Sequence, residues 1–482
     1  MKSSPLFLIL PAFLLGACSL APTYETPALE TSPAAFKESD GWKMASPADG
    51  LPRGAWWEAF HDPDLGKLES RMGEANQDLR AALARLEQAR AAAGVSRSGY
   101  FPVVSANAAS TNQRASTNAP FYFPAFDPKF QNNIVGLDVS YELDVWGRLR
   151  NAVAASDARV AASAADLAAL DLSLRAELAG LYFALRGQDA LQIQFDDTAA
   201  AYRELYDLTQ KLYEGGAANL TDLAQAKLQW QNAVNQSTDN HLKRSQLEHA
   251  LAVLVGEPSS TFSLPVRREF QATPPPIDAG LPSTLLERRP DIAGAERRVA
   301  AANAEIGVAR AAFFPVFGLG GGVGLQSGNQ SNWMTAPSQF WSLGPTASLT
   351  LFDGGRRQAL TDQAHAAYDE AAANYRKTVL VAYQEVEDNL AALHDLEREI
   401  QSADTALAAA REALAQADYR YRGGIANALE VAYARSVALQ SEQAVTVLQV
   451  RRITASVLLV KALGGGWNRD ALTSTSQADP TH

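Results

Sequence analysis

Hydrophobic and polar positions along the 482-residue chain follow two different periods. Over 135–143, Val135, Leu137, Val139, Tyr141 and Leu143 alternate with Gly136, Asp138, Ser140 and Glu142. Over 341–351, Trp341, Leu343, Pro345, Ala347, Leu349 and Leu351 alternate with Ser342, Gly344, Thr346, Ser348 and Thr350. A period of two puts each set on its own face of a β-strand. Partner strands are predicted from two Phe-Pro-Val marks, over 103–110 and 317–326, so the pattern predicts hairpins at 103–144 and 316–352. Aromatic residues crowd their ends in "FYFPAFDPKF" (121–130) and "NWMTAPSQFW" (332–341), as at a membrane interface. Alternation alone fits both a half-buried soluble hairpin and one in lipid. If it is lipid, four strands are too few to close a barrel, since the smallest single-chain barrels have about eight, and several chains must contribute.

Elsewhere the period is helical and the runs are long. No proline interrupts 129–257 or 346–479, so helices are expected from near Arg148 and near Arg356 to the Gly-Gly pairs at 215–216 and 423–424. Each would be about 100 Å long at 1.5 Å per residue. Val379, Val386, Leu393, Ile400, Leu407, Leu414 and Tyr421 recur at sevens, a coiled-coil seam, while Leu167, Leu170, Leu174, Leu178, Leu181 and Leu185 form a looser stripe. Returning helices are expected over 220–255 and 429–463, making each Gly-Gly the tip of a helical hairpin. Shorter helices precede the β-hairpins, at 76–97 and 291–310, the second opened by Pro290 and Asp291.

The chain is therefore doubled. "GVSRSGYFPV" matches "GVARAAFFPV", with Gly94 on Gly307 and Pro102 on Pro315, at an offset of 213. "LYEGGAANLTDL" matches "RYRGGIANALEV" at an offset of 208, so the first copy holds five extra residues between Pro102 and its glycine pair. The predicted organisation is a signal peptide over 1–17, an N-terminal segment over 18–75, repeats at 76–257 and 289–466 joined by a Pro-rich linker over 258–288, and a polar tail over 467–482.

The lone cysteine, Cys18, follows an apolar stretch, Leu6 to Leu15, too short to span a bilayer and typical of a secretory signal. Leu15-Gly16-Ala17-Cys18 resembles a bacterial lipobox, which implies a covalent lipid on Cys18, with Ser19 directing the protein to the outer membrane. One cysteine allows no intrachain disulfide. A net charge of −11 argues against nucleic acid. Beyond the signal no run of 18 apolar residues occurs, which excludes an inner-membrane pump. Six scattered histidines form no metal motif, "GGGVG" (320–324) lies in a strand pattern rather than a phosphate loop, and no cofactor, metal site or catalytic site is expected.

The doubled plan, with "AWWEAFHDPDL" (55–65), "ERRPDI" (287–292), "LFDGGRR" (351–357) and the lipobox, resembles the outer-membrane efflux protein family, TolC-like, and within it the lipoprotein branch serving RND-type multidrug pumps. The resemblance implies a mainly α fold with a small β part. It implies a homotrimer, with a twelve-stranded transmembrane β-barrel, four strands per chain, above an α-helical barrel that crosses the periplasm. It also implies a passive duct serving a periplasmic adaptor and an inner-membrane pump. The family's periplasmic gate maps onto Glu430 and Tyr433 in the second copy and Asp222 and Gln225 in the first; Tyr433 departs from the acid expected there. Adaptor docking maps onto the tips, Gly215, Gly216 and Asn219, and Gly423, Gly424 and Asn427. Turn and cap chemistry explains the same tip residues, and a solvated carboxylate at a helix start explains Glu430 equally well. The alternative from another class is a lipid-anchored periplasmic coiled-coil spacer that never enters the bilayer.

If the apolar strand set faces lipid, Asp138, Glu142 and Asp144 face the lumen. The duct is then expected to prefer cations. Reversal potentials of the purified channel check this, and anion preference contradicts it.

Overall fold

The computed structural model describes residues 19–28, 35–39, 55–118, 120, 123, 125, 127–268, 270, 274–275 and 289–465. Cys18, the signal segment, most of 121–126 and the tail lie outside them. The element order is α1 (Pro63–Ala75), α2 (Gln77–Ser98), β1 (Val103–Arg114), β2 (Lys129–Leu143), α3 (Arg148–Glu214), α4 (Leu220–Leu254), α5 (Pro290–Ala311), β3 (Val316–Ser327), β4 (Gln339–Ser348), α6 (Arg356–Arg422) and α7 (Ala428–Ala462).

The duplication holds element for element. α2 and α5 each have 22 residues, β1 and β3 each have 12, α3 and α6 each have 67, and α4 and α7 each have 35. The five extra residues lie between Val103 and Arg148, in the first β-hairpin. A hydrogen bond is repeated too. At the start of α2, Asn76 Nδ2 donates to the Leu254 carbonyl at the end of α4 (2.8 Å), and before α5, Arg289 Nη1 donates to the Ala462 carbonyl at the end of α7 (3.2 Å). Each satisfies a carbonyl that a helix end leaves open.

Two compact units divide the chain. One comprises residues 1–28, 85–163 and 295–375; the other comprises 29–84, 164–294 and 376–482. The first holds a four-stranded antiparallel sheet in the order β1-β2-β3-β4. Its register places Ala106, Leu137, Val323 and Trp341 in one row, and Val104, Val139, Gly321 and Leu343 in another. The neighbouring rows, Ser105-Asp138-Gly322-Ser342 and Val103-Ser140-Gly320-Gly344, face the other way. The predicted alternation is thus a property of the whole sheet, with one apolar face and one small, polar face.

Strand lengths differ from the expectation. β2 begins at Lys129 because its ladder with β1 continues through Thr111↔Asn132 to Arg114↔Lys129, and these rungs, polar except for Phe130, carry no alternation. β4 stops at Ser348 because Val316, its last partner, begins β3 there; Leu349 and Leu351 lie beyond the sheet.

In the same unit residues 19–24 form a strap on α3 and α5. Ser19 donates to Asn151 (3.0 Å), Asn303 donates to the Pro22 carbonyl (2.8 Å), and Tyr24 donates to Glu296 (2.6 Å). Burial, then the Glu296 carboxylate, push the Tyr24 phenol up. A Cβ on Gly307 would fall 2.4 Å from Asn151 Nδ2 and 2.7 Å from Ala21 Cβ, so the repeat-mark glycine of the second copy makes room for the strap.

The second unit is helical. The α6 seam is buried at Val379, Val386, Leu393, Ile400 and Leu407 and opens at Tyr421, near the tip. One window of α7 is apolar enough to pass for a bilayer span by length and composition, against the expectation of none; 44% of it is packed inside, with Ile453, Val457 and Leu459 fully enclosed. The start of the linker is pinned by a buried charge cluster, while most of 269–288 lies outside the described residues: Arg186 donates to the Pro265 carbonyl (2.7 Å), Arg244 to the Leu264 carbonyl (2.7 Å), and Asp189 binds both guanidiniums.

Glu69, on α1, is fully buried; Arg175 Nη1 lies 3.4 Å from one carboxylate oxygen, and the other has no hydrogen-bond partner among the described residues. Burial pushes its pKa up to about 8 from the ordinary 4.5, Arg175 opposes the shift, and Asp171 adds to it. The folded state therefore holds this proton more tightly than the unfolded chain. The stabilisation is complete below pH 4.5 and is lost as pH rises through about 8, by at most about 5 kcal/mol. Glu69→Gln is expected to flatten the fall in melting temperature between these pH values, measured by thermal denaturation in detergent.

Candidate functional site

The two helical tips are built alike. α3 ends at Glu214, and Gly216 (φ 76°) takes the left-handed conformation that lets Ala217 N donate back to the Leu212 carbonyl (2.7 Å). α6 ends at Arg422, and Gly424 (φ 71°) lets Ile425 N donate to the Arg420 carbonyl (2.9 Å). The returning helices start on asparagine. Asn219 accepts from the Asp222 amide (2.9 Å), and Asn427 from the Glu430 amide (2.9 Å).

Their carboxylates are used differently. Asp222 reaches back to accept the Asn219 amide (3.3 Å), closing a capping box. Glu430 instead binds the Arg420 guanidinium across the tip. Gln225 and Tyr433 are exposed beside them, and so are Tyr419, Ile425 and Leu429. Arg420 went unread in the sequence because the matching residue of the first copy is Leu212.

The sheet brings Asp138 and Glu142 onto one face, among Ser105, Ser140, Gly320 and Gly322. Asp138 accepts from the Asn107 side chain, and Glu142 from Arg148 Nε (2.8 Å) and Nη2 (2.6 Å). Asp144 is not on that face. β2 ends at Leu143, and Asp144 accepts the Leu149 and Arg150 amides (2.9 Å each) and Arg150 Nε (3.1 Å), capping the first turn of α3. Asp353 treats Arg357 in the same way at the start of α6 (amide 3.2 Å, Nε 2.7 Å). Of the three acids expected in the lumen, two are paired with arginines, and one of these, Asp144, is a helix cap. The opposite face is exposed and apolar, with Trp341 79% and Leu343 71% accessible.

Loss of a cap is measurable at the tips. Asn427→Ala is expected to cost about 1 kcal/mol locally and to speed amide exchange in the first turn of α7, while α4 exchanges as before; hydrogen exchange read by mass spectrometry checks both.

The family described as "Outer membrane efflux protein" matches the chain over residues 69–257 and 281–465. The toluene efflux pump outer membrane protein TtgC of Pseudomonas putida is 31% identical over 480 residues, 99% of each chain. Outer membrane protein OprJ of Pseudomonas aeruginosa is 34% identical over 465 residues, 95% of each chain. Among solved structures, the Campylobacter jejuni CmeC outer membrane channel superposes with a TM-score of 0.85 at 25% identity, covering 95% of this chain and 98% of that one.

Proposed function

The chain belongs to the outer membrane efflux protein family and is an outer-membrane efflux channel, and from this we propose that three copies close into one passive duct joining a periplasmic adaptor and an RND-type inner-membrane pump. One observation supports the assembly most directly: equivalent helices of the two repeats differ in burial. In α5, Val299, Ala301, Ala302, Asn303, Ala304 and Ile306 are buried; in α2 only Ala82, Leu86 and Ala93 are, while Leu83 is 50% and Val95 74% exposed.

Contacts explain the difference. α2 meets α3 through Ser96···Ser156 (2.7 Å) and Arg97–Asp157 (2.8 Å), and α5 meets α6 at the matching pair, Arg310···His365 (3.3 Å). α5 has a second neighbour, α3, through Glu305–Arg159. Carried back through the offsets, that second contact becomes Ala92 with Ala367, both exposed in the single chain. It is supplied when α2 of one copy packs on α6 of the next. The contact is head-to-tail, the kind that closes into a ring when the rotation between copies permits.

The sheet requires the same closure. β1 and β4 are unpaired edges beside an exposed apolar face, and lipid tolerates neither an open edge nor an unsatisfied backbone. Joining β4 of each copy to β1 of the next gives twelve strands around a bore lined by the small, polar face. The periplasmic mouth is formed by the tips, with Glu430, Tyr433, Asp222 and Gln225 at the gate and the Gly-Gly turns at the adaptor. A lipid on Cys18, next to the strap at Ser19, anchors the assembly. The coiled-coil spacer gives the apolar sheet face no partner.

Ala92→Cys/Ala367→Cys is expected to yield dimers and trimers with a flexible bismaleimide long enough to span an arginine–glutamate pair, seen on denaturing gels, and each single variant only monomers. Absence of the ladder in outer membranes that contain the protein overturns this packing.

A further inference from the structure

We propose that Arg420 sets the charge of the second tip: by binding Glu430 it cancels that carboxylate, so the first tip supplies the net negative charge of the periplasmic mouth. This rests on the reading that the tips form the mouth.

The two copies supply the comparison. The Arg420 carbonyl accepts the Ile425 amide (2.9 Å) and the Ala426 amide (3.2 Å), and the Leu212 carbonyl accepts those of Ala217 (2.7 Å) and Ala218 (3.2 Å). The turn therefore needs the backbone at this position and no particular side chain. Glutamate at the third helical position normally reaches back to the N-cap amide, as the shorter Asp222 does in the first tip. Glu430 does not close such a box; its carboxylate is on Arg420.

Over 418–430, Asp418 and Glu430 balance Arg420 and Arg422, whereas over 210–222 Glu214 and Asp222 outnumber Lys211 by one. Both members of the pair are substantially exposed, so it contributes little to stability. Its consequence is electrostatic. Three carboxylates brought to one level repel each other and attract cations, and a guanidinium in contact with each removes both effects. Glu430 looks like the acidic ring in the sequence, yet it is Asp222, facing only its own helix start, that retains an uncompensated charge.

The test is the K⁺/Cl⁻ permeability ratio of purified full-length channels in planar bilayers under a salt gradient. Arg420→Leu, which installs the residue of the first tip, is expected to raise the ratio several-fold. Glu430→Gln, which leaves three unpaired guanidiniums, lowers it several-fold. Arg420→Lys stays near wild type, and the double variant Arg420→Leu/Glu430→Gln returns to within about twofold of it, because the pair is removed as a unit. A ratio that moves with Glu430→Gln but not with Arg420→Leu refutes the pairing and leaves the mouth in place. A double variant that departs from wild type as far as either single variant refutes it too. If Asp222→Asn and Glu430→Gln both leave the ratio unchanged in conducting channels, the tips are not the mouth and both readings fall together.

Discussion

A sheet with two open edges and one apolar face cannot stand alone in a bilayer, and the rest of the molecule is arranged around that constraint. β2 is paired on both sides over 133–140 and β3 over 317–325, while among the described residues the outer sides of β1 and β4 have no ladder partner. Side chains on one face, Leu137, Val323, Trp341 and Leu343 among them, are accessible to an extent that water penalises. Both costs vanish in a closed ring of copies surrounded by lipid.

The helices carry the same incompleteness in another form. α5 is buried on two sides and α2 on one, although they are the same element of a duplicated plan. Duplication gives each chain two quasi-equivalent wall segments and one unmatched junction at each side. In the proposed assembly the internal α3–α5 contact is the template for the contact between copies. A Cβ added to Gly94 of the first repeat would meet nothing within 4 Å outside its own helix among the described residues, whereas one added to its counterpart Gly307 would collide with Asn151 and Ala21.

Much of this was legible in the sequence. The offsets of 213 and 208 located both repeats because Phe-Pro-Val and Gly-Gly-x-Ala-Asn mark fixed corners, and proline-free runs gave the helices their length. Alternation found the middle of each strand and missed its ends: Thr111, Asn112, Gln131 and Asn132 pair in the ladder without any apolar partner to reveal the period. Parity also misled at Asp144, which continues the alternation of β2 past the residue where the strand ends. Charge pairing was the least readable property. Arg148 on Glu142 and Arg420 on Glu430 join residues across a strand–helix junction and a hairpin tip, separations that no helical or strand period predicts.

The central claim is that neighbours close what one chain leaves open. Native mass spectrometry of the protein released from outer membranes in mild detergent counts the chains directly. The account predicts a dominant species of three mature chains; a monomer or a dimer as the dominant membrane-extracted form would contradict it.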